Sequence, residues 1–185
     1  MKSCMKKILF AASEAVPFMK TGGLADVTGS LPKYFDKKNY DVRVILPKYV
    51  CMEERWKGQL HFLCHFYVNL SWRKQYVGIF ETTYDGITYY LVDNEFYFAG
   101  NAPYNNIYED VEKFAFFSKA VLEALPYLDF CPDIIHCHDW QTGLLPVFLR
   151  TLYGDEEYYT GIKTVFSIHN LKFQGRWKLP AVMDI

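Results

Sequence analysis

The most constraining stretch of this chain is its start. Lys7 to Ala12 (KILFAA) is a short, unbroken apolar run. A run of that length without polar alternation predicts a strand buried on both faces, as the central strands of parallel sheets are. SEAVPFMKTGG follows, rich in small and chain-breaking residues, and then Leu24, Val27, Leu31, Tyr34 and Phe35 recur at helical offsets. The spacing predicts a helix from near Gly23, kinked at Pro32, which cannot donate to the Thr28 carbonyl. Tyr40 to Leu46 (YDVRVIL), ending at Pro47, predicts a second strand. Strand, loop, helix and strand in this order are the repeating unit of a parallel α/β sheet.

The middle changes character. Leu60 to Leu70, Gln75 to Thr83 and Ile87 to Val92 are aromatic and β-branched runs, the last two joined across Asp85-Gly86, a strong hairpin signal. Asp93 to Asp110 has no period and reads as a long loop that serves a site or is mobile, with Ala102-Pro103-Tyr104 as its candidate contact. Phe114, Ser118, Val121, Leu122 and Leu125 mark one face of a second helix that closes before Pro126. Alternation then resumes with a strand at Asp133 to His138, a shorter helix from Leu144 to Leu152 interrupted by Pro146, and another buried strand at Lys163 to His169. The tail to Ile185 is loop-like. No internal repeat or interdomain linker interrupts residues 1–185, and 185 residues suit about one domain of the usual ~150.

Composition narrows the function. With 51% hydrophobic and 22% charged residues the chain is able to bury a core, which excludes disorder. Twenty basic against twenty-one acidic residues give no field strong enough to hold a nucleic acid or an anionic membrane by charge alone, so any anion site must be local. Cys4, Cys51, Cys64, Cys131 and Cys137 show no paired spacing, which argues against a disulfide framework or a zinc ribbon. The apolar run after MKSCMKK is shorter than the roughly 7 to 15 residues of a secretory signal, and no stretch nears the ~18 apolar residues of a membrane span. A reducing cytoplasm is the expected setting.

In open α/β sheets ligands bind beyond the carboxyl ends of the strands, so the loops there are the places to look. After the first strand, Lys20-Thr21-Gly22-Gly23 brings a cation and two glycines to a helix start. Such a loop suits a phosphate or diphosphate, through free N–H groups, the helix dipole and the lysine charge; a plain glycine turn with an exposed lysine is the other reading. Neither G-x-G-x-x-G nor G-x-x-x-x-G-K-[ST] is present, which disfavours dehydrogenases and P-loop enzymes. After the third parallel strand come His136, His138, Asp139 and Trp140. His136 and His138 share a strand face, as two ligands of a zinc site would, yet no further pair is spaced to complete one, and packing or a hydrogen bond to substrate fits them better. Asp139 either accepts sugar hydroxyls or caps the helix that follows at Gln141, and Trp140 is either a stacking platform or core. After the last strand come His169 and Asn170, where a histidine at a strand end is often simply a satisfied core residue. Three polar strand ends facing one crevice support one another.

SEAVPFMKTGGLADVTGSLP, IIHCHDWQTGLLP and TVFSIHNLKFQG, in that order and strand context, resemble bacterial glycogen synthases and plant starch synthases. The likeness runs from about Lys7 to the end. It implies a GT-B glycosyltransferase, in which two Rossmann-like lobes face each other across a cleft. This chain is similar to the N-terminal lobe only: a parallel sheet with helices on both faces and an aromatic-rich β-hairpin insertion, without the C-terminal lobe that holds most of the sugar nucleotide. The resemblance also implies transfer of glucose from ADP-glucose to the nonreducing end of an α-1,4-glucan with retention, with no obligatory metal or dinucleotide cofactor.

By the same resemblance His169 and Asp139 are the catalytic candidates, with His169 beside the reacting sugar and Asp139 on glucose hydroxyls. Lys20, Gly22 and Gly23 are the candidate diphosphate contacts, Tyr104 a glucan-acceptor contact, and His138 and Asn170 further substrate contacts. Asp26 reads as a first-turn acid favoured by the helix dipole, or as an orienter of the loop. The missing lobe predicts no turnover by this chain alone. The competing readings are an isolated α-glucan-binding lobe and a nucleotide-using enzyme complete in one domain.

Overall fold

The structure, a computed structural model, describes residues 5–178; Cys4 and the end of the tail, 179–185, lie outside the described residues. In chain order the elements are β1 (Lys6–Ala11), α1 (Gly23–Ser30), β2 (Tyr40–Pro47), α2 (Glu54–Lys57), β3 (His61–Leu70), β4 (Arg73–Tyr84), β5 (Ile87–Asp93), α3 (Ile107–Ala124), β6 (Ile134–His138), α4 (Leu144–Thr151) and β7 (Lys163–Ser167). They form one seven-stranded sheet in the order β3-β4-β5-β2-β1-β6-β7. β5, β2, β1, β6 and β7 are parallel to one another, while β4 pairs antiparallel with both β3 and β5.

This order fixes where a ligand can bind. From β1 the chain steps to β2 on one side, and after β5 it crosses back to β6 on the other side of β1. Crossovers between parallel strands are right-handed, so opposite steps put α1 on one face and α3, with α4 packed against it, on the other. The crevice between the loops after β1 and β6 is therefore the topological switch point of the sheet.

The central strands are as buried as their composition demands. Leu9, Phe10 and Ala11 of β1 and Val44, Ile45 and Leu46 of β2 have no solvent exposure. The expected aromatic insertion is an antiparallel meander whose last strand, β5, runs beside β2 and joins the parallel sheet. Asp85 and Gly86 both take positive φ, 50° and 72°, the geometry a two-residue hairpin turn needs.

Four expectations need correction. The helix from Gly23 does not run kinked to Phe35: α1 ends at Ser30, and Leu31–Tyr34 continues as a 3₁₀ turn. Pro32 cannot extend the α-helical bonding, and the tighter turn leaves Tyr34 84% exposed. Pro146 does not interrupt α4. It is the third residue of that helix, in the first turn, where an N–H has no intrahelical partner to lose. The second long helix starts earlier than its apolar face, at Ile107, because Asn106 caps it by accepting from the N–H groups of Tyr108 and Glu109. The final strand ends at Ser167 and is an exposed edge, with Val165 45% and Phe166 43% exposed. Its apolar sequence shows that the strand calls for cover, and among the described residues β6 is its only strand neighbour.

Candidate active site

The loops after β1, β6 and β7 converge on one cleft of about 1200 Å3. The β1 loop is shaped from beneath by Glu14, which is buried. Its carboxylate accepts the Thr21 backbone N–H, the Thr21 hydroxyl at 2.8 Å and the Tyr104 hydroxyl at 2.7 Å. Tyr104 Oη also meets Ser13 Oγ at 2.9 Å, and Tyr49 donates to the Ser13 carbonyl at 3.0 Å. Glu14 thus folds the glycine loop back over the end of β1 and ties it to the long loop before α3. Burial first, and the Glu14 charge next, push the Tyr104 phenol well above its ordinary pKa, so it stays a donor. The long loop is itself anchored by a buried pair. Lys113 donates to the Asp110 carboxylate at 2.7 Å and to the Pro103 carbonyl at 2.9 Å, and Asp110 accepts the Asn105 N–H at 3.1 Å.

Thr21, Gly22 and Gly23 face the cleft at the start of α1. Gly22 is extended, with φ −153°, so its backbone does not require glycine. A Cβ at either glycine would meet nothing within 4 Å. The missing side chains therefore leave room for a ligand rather than permit a turn. Lys20 is absent from the cleft lining; its ammonium is bound by Asp26 at 2.7 and 2.8 Å, in a pair about half exposed on both sides. Asp26, in the first turn of α1, thus pairs with the loop lysine as well as complementing the helix dipole.

On the β6 side the backbone of Asp139 is unusual, with φ 57° and ψ −179°. Its carboxylate makes no helix cap; Oδ1 accepts the His169 backbone N–H at 2.6 Å. The Asp139 N–H in turn donates to the Ser167 carbonyl at 2.9 Å. Trp140 both lines the cleft and packs edge-on against Phe114 and Trp177. Gly175, at φ 58°, closes over that indole, and a Cβ there would lie 2.6 Å from Trp140 Cδ2.

Three imidazoles run inward from the cleft. His169 lines it, and His138 Nδ1 lies 2.9 Å from His169 Nε2. The His138 ring stacks on His136 at 4.1 Å between centroids, and His136 Nε2 meets Ser167 Oγ at 2.7 Å. His138 is fully buried and does not reach the cleft surface. Burial, then the neighbouring His136 and His169, push its pKa down to about 3, and burial lowers His136 as well. The pair sharing a strand face is thus engaged with Ser167 and His169, and among the described residues no three His, Cys, Asp or Glu groups are placed to hold a metal ion.

Of the eight residues named from sequence, His169, Asp139, Gly22, Gly23, Tyr104 and Asn170 line the one cleft, and Lys20 and His138 do not. Sequence reasoning passed over Glu14 and the cations Lys172 and Arg176, which also line it. An acid inside an otherwise small and apolar strand-end segment was the available signal for Glu14; Lys172 and Arg176 sit in a loop without periodicity and gave none.

A family model described as the starch synthase catalytic domain matches residues 7–184. The chain is 66% identical over 181 residues to a glycogen synthase of Lachnoclostridium phytofermentans and 61% identical over 181 residues to one of Lachnospira eligens. Each alignment covers 98% of this chain and 38% of the relative, so the chain spans little more than a third of the curated relatives it matches. Among solved structures, the catalytic domain of starch synthase IV from Arabidopsis thaliana, bound to ADP and acarbose, superposes with a TM-score of 0.85 at 28% identity, over 97% of this chain and 37% of that one. With the family pattern on the strand-end loops that line the cleft, this chain belongs to the starch synthase catalytic domain family.

Proposed function

We propose that this chain is the acceptor-side lobe of an ADP-glucose-dependent glycogen synthase, and that its cleft receives the donor glucose and the nonreducing end of an α-1,4-glucan. The observation that carries this reading is the open space at Gly22 and Gly23, lining the same cleft as Asp139 and His169. The relatives named glycogen synthase and the neighbour bound to ADP and acarbose support it. The cytoplasm is the setting we infer.

Transfer breaks a glycosyl–phosphate bond, so negative charge grows on the diphosphate while the sugar gains oxocarbenium character. The Gly22 and Gly23 amides at the start of α1 would face the diphosphate, and no side chain keeps it at a distance. Lys20 would join them by leaving Asp26, an exposed exchange costing at most about 1 kcal/mol. His169 would sit beside the sugar. Asp139, with Oδ1 committed to the His169 N–H, keeps Oδ2 to accept from a glucose hydroxyl. Tyr104, its hydroxyl engaged by Glu14 and Ser13, would meet the glucan through its ring.

Calorimetry on the purified chain tests this. Maltooligosaccharides should bind the chain and lose affinity when Asp139 or Tyr104 is altered, while ADP-glucose should not be turned over. Binding of glucan without any response to ADP would favour the narrower role of a glucan-binding lobe. No binding of either ligand discards the proposal.

A further inference from the structure

His138 has no solvent exposure, and its ring lies between those of His136 and His169, with Phe10 against it at 4.9 Å. Its Nδ1 shares the 2.9 Å contact with His169 Nε2, and its Nε2 is buried with no hydrogen-bond partner. One proton must occupy that contact. In the first arrangement His138 carries hydrogen on Nδ1 and donates it to His169 Nε2, so that its own Nε2 is a bare lone pair. In the second, His169 donates from Nε2, and His138 must then carry hydrogen on Nε2, where nothing accepts it. A His169 imidazolium also donates from Nε2 and creates the same orphan. A buried N–H without an acceptor is the rarer and costlier defect. The groups facing the His138 ring are His136 from its own strand, Phe10 from β1 and His169 beyond β7, so no carboxylate is bonded to it that would favour a doubly protonated ring.

We propose that His138 is a positioning residue that fixes the tautomer of His169, with hydrogen on Nδ1 and the Nε2 lone pair turned inward, so that the His169 ring offers the cleft an N–H donor. Resting on the sugar-transfer reading above, this gives the chemistry of the ligand atom opposite that ring: an acceptor oxygen, such as a sugar hydroxyl oxygen. His138 never touches the sugar. It decides which hydrogen-bonding face His169 shows.

Long-range proton–nitrogen correlation spectra of the 15N-labelled chain at neutral pH, with no ligand added, read the tautomers directly. His138 and His169 should both show hydrogen on Nδ1. His138→Asn places an amide N–H near the position of Nδ1 and should preserve the His169 pattern. His138→Phe keeps a ring but removes the donor, and should return His169 largely to the Nε2–H form. Wild-type His169 with hydrogen on Nε2, or a His169 pattern unchanged by His138→Phe, overturns the proposal. If His138→Phe does not fold, the wild type and His138→Asn decide. Because no ligand is present, a wrong tautomer leaves the sugar-transfer reading standing, whereas a right tautomer with no sugar binding sinks only that reading.

Discussion

The carboxylate of Asp139 accepts the backbone N–H of His169 at 2.6 Å, which locks the loop after β6 to the loop after β7 through a charge-assisted hydrogen bond. The residue that makes this bond sits at φ 57° and ψ −179°, a region in which glycine is comfortable and other residues are not.

Two opposing terms therefore meet at Asp139. The strained backbone costs about 1–3 kcal/mol, and a hydrogen bond to a charged group contributes about 1.5–3 kcal/mol. Asp139→Gly removes both, so its Tm should stay within a few degrees of wild type while maltooligosaccharide affinity falls at least tenfold. Thermal unfolding and calorimetry on one preparation check this. A large loss of Tm would mean the latch, rather than the site, is what the carboxylate serves.

The glycines of the cleft separate in the same way. Gly22→Ala introduces a methyl group into open space on an extended backbone, so stability should be unchanged while ligand affinity drops. Gly175→Ala forces both a positive φ and a clash with Trp140, and should cost about 1–3 kcal/mol. Chemical denaturation of the two variants side by side distinguishes them, and equal destabilisation contradicts the assignment.

Lys113 and Asp110 form a buried ion pair, and removing one member strands the other, at a cost of about 3–5 kcal/mol. Lys113→Met should therefore lower stability by that order and also release the Pro103 carbonyl that presents Tyr104. Fluorescence-monitored urea unfolding gives the first effect. Faster hydrogen exchange at Tyr104 and Asn105 than in wild type gives the second.

The fold was legible where local pattern and tertiary need agree. KILFAA, YDVRVIL and the strand ending at His138 are parallel strands whose apolar residues, among them Leu9, Phe10, Val44, Ile45 and Ile135, are fully buried, and Asp85-Gly86 supplies the positive φ its hairpin needs. Two of the failures, the helix beyond Ser30 and the exposed last strand, share a cause. Helical offsets at Val27, Leu31 and Tyr34 and apolar residues at Val165 and Phe166 report what a segment could bury, but burial depends on what packs over it. The strand-end residues of the site were readable because the sheet delivers them to one edge. The inward orientation of His138 was not, because residues i and i+2 share a strand face whether that face meets solvent or core. The resemblance proposed Lys20 as a diphosphate contact, and its pairing with Asp26 emerges only when the loop turns into α1.

Acid should weaken this protein through its buried imidazoles. His138, held near 3 when folded, takes up a proton at its ordinary value of 6.5 when unfolded, and His136 is shifted in the same direction. The unfolded state then binds more protons below that value, so stability is fully present above pH 6.5 and is lost as pH falls from 6.5 toward 3. Each group contributes a slope of up to about 1.4 kcal/mol per pH unit. Thermal unfolding at stepped pH should show Tm falling through this window and a shallower fall for His138→Asn. A Tm independent of pH across it would contradict neutral, buried His138.

The most direct test of the shared cleft is an amide correlation spectrum of this chain titrated with a maltooligosaccharide and, separately, with ADP. Signals of Thr21 to Leu24, Asp139 to Gln141 and His169 to Asn170 should move together in at least one titration, because one ligand touches all three loops. Shifts confined to one loop, or to the exposed face of β3 and β4, would contradict it.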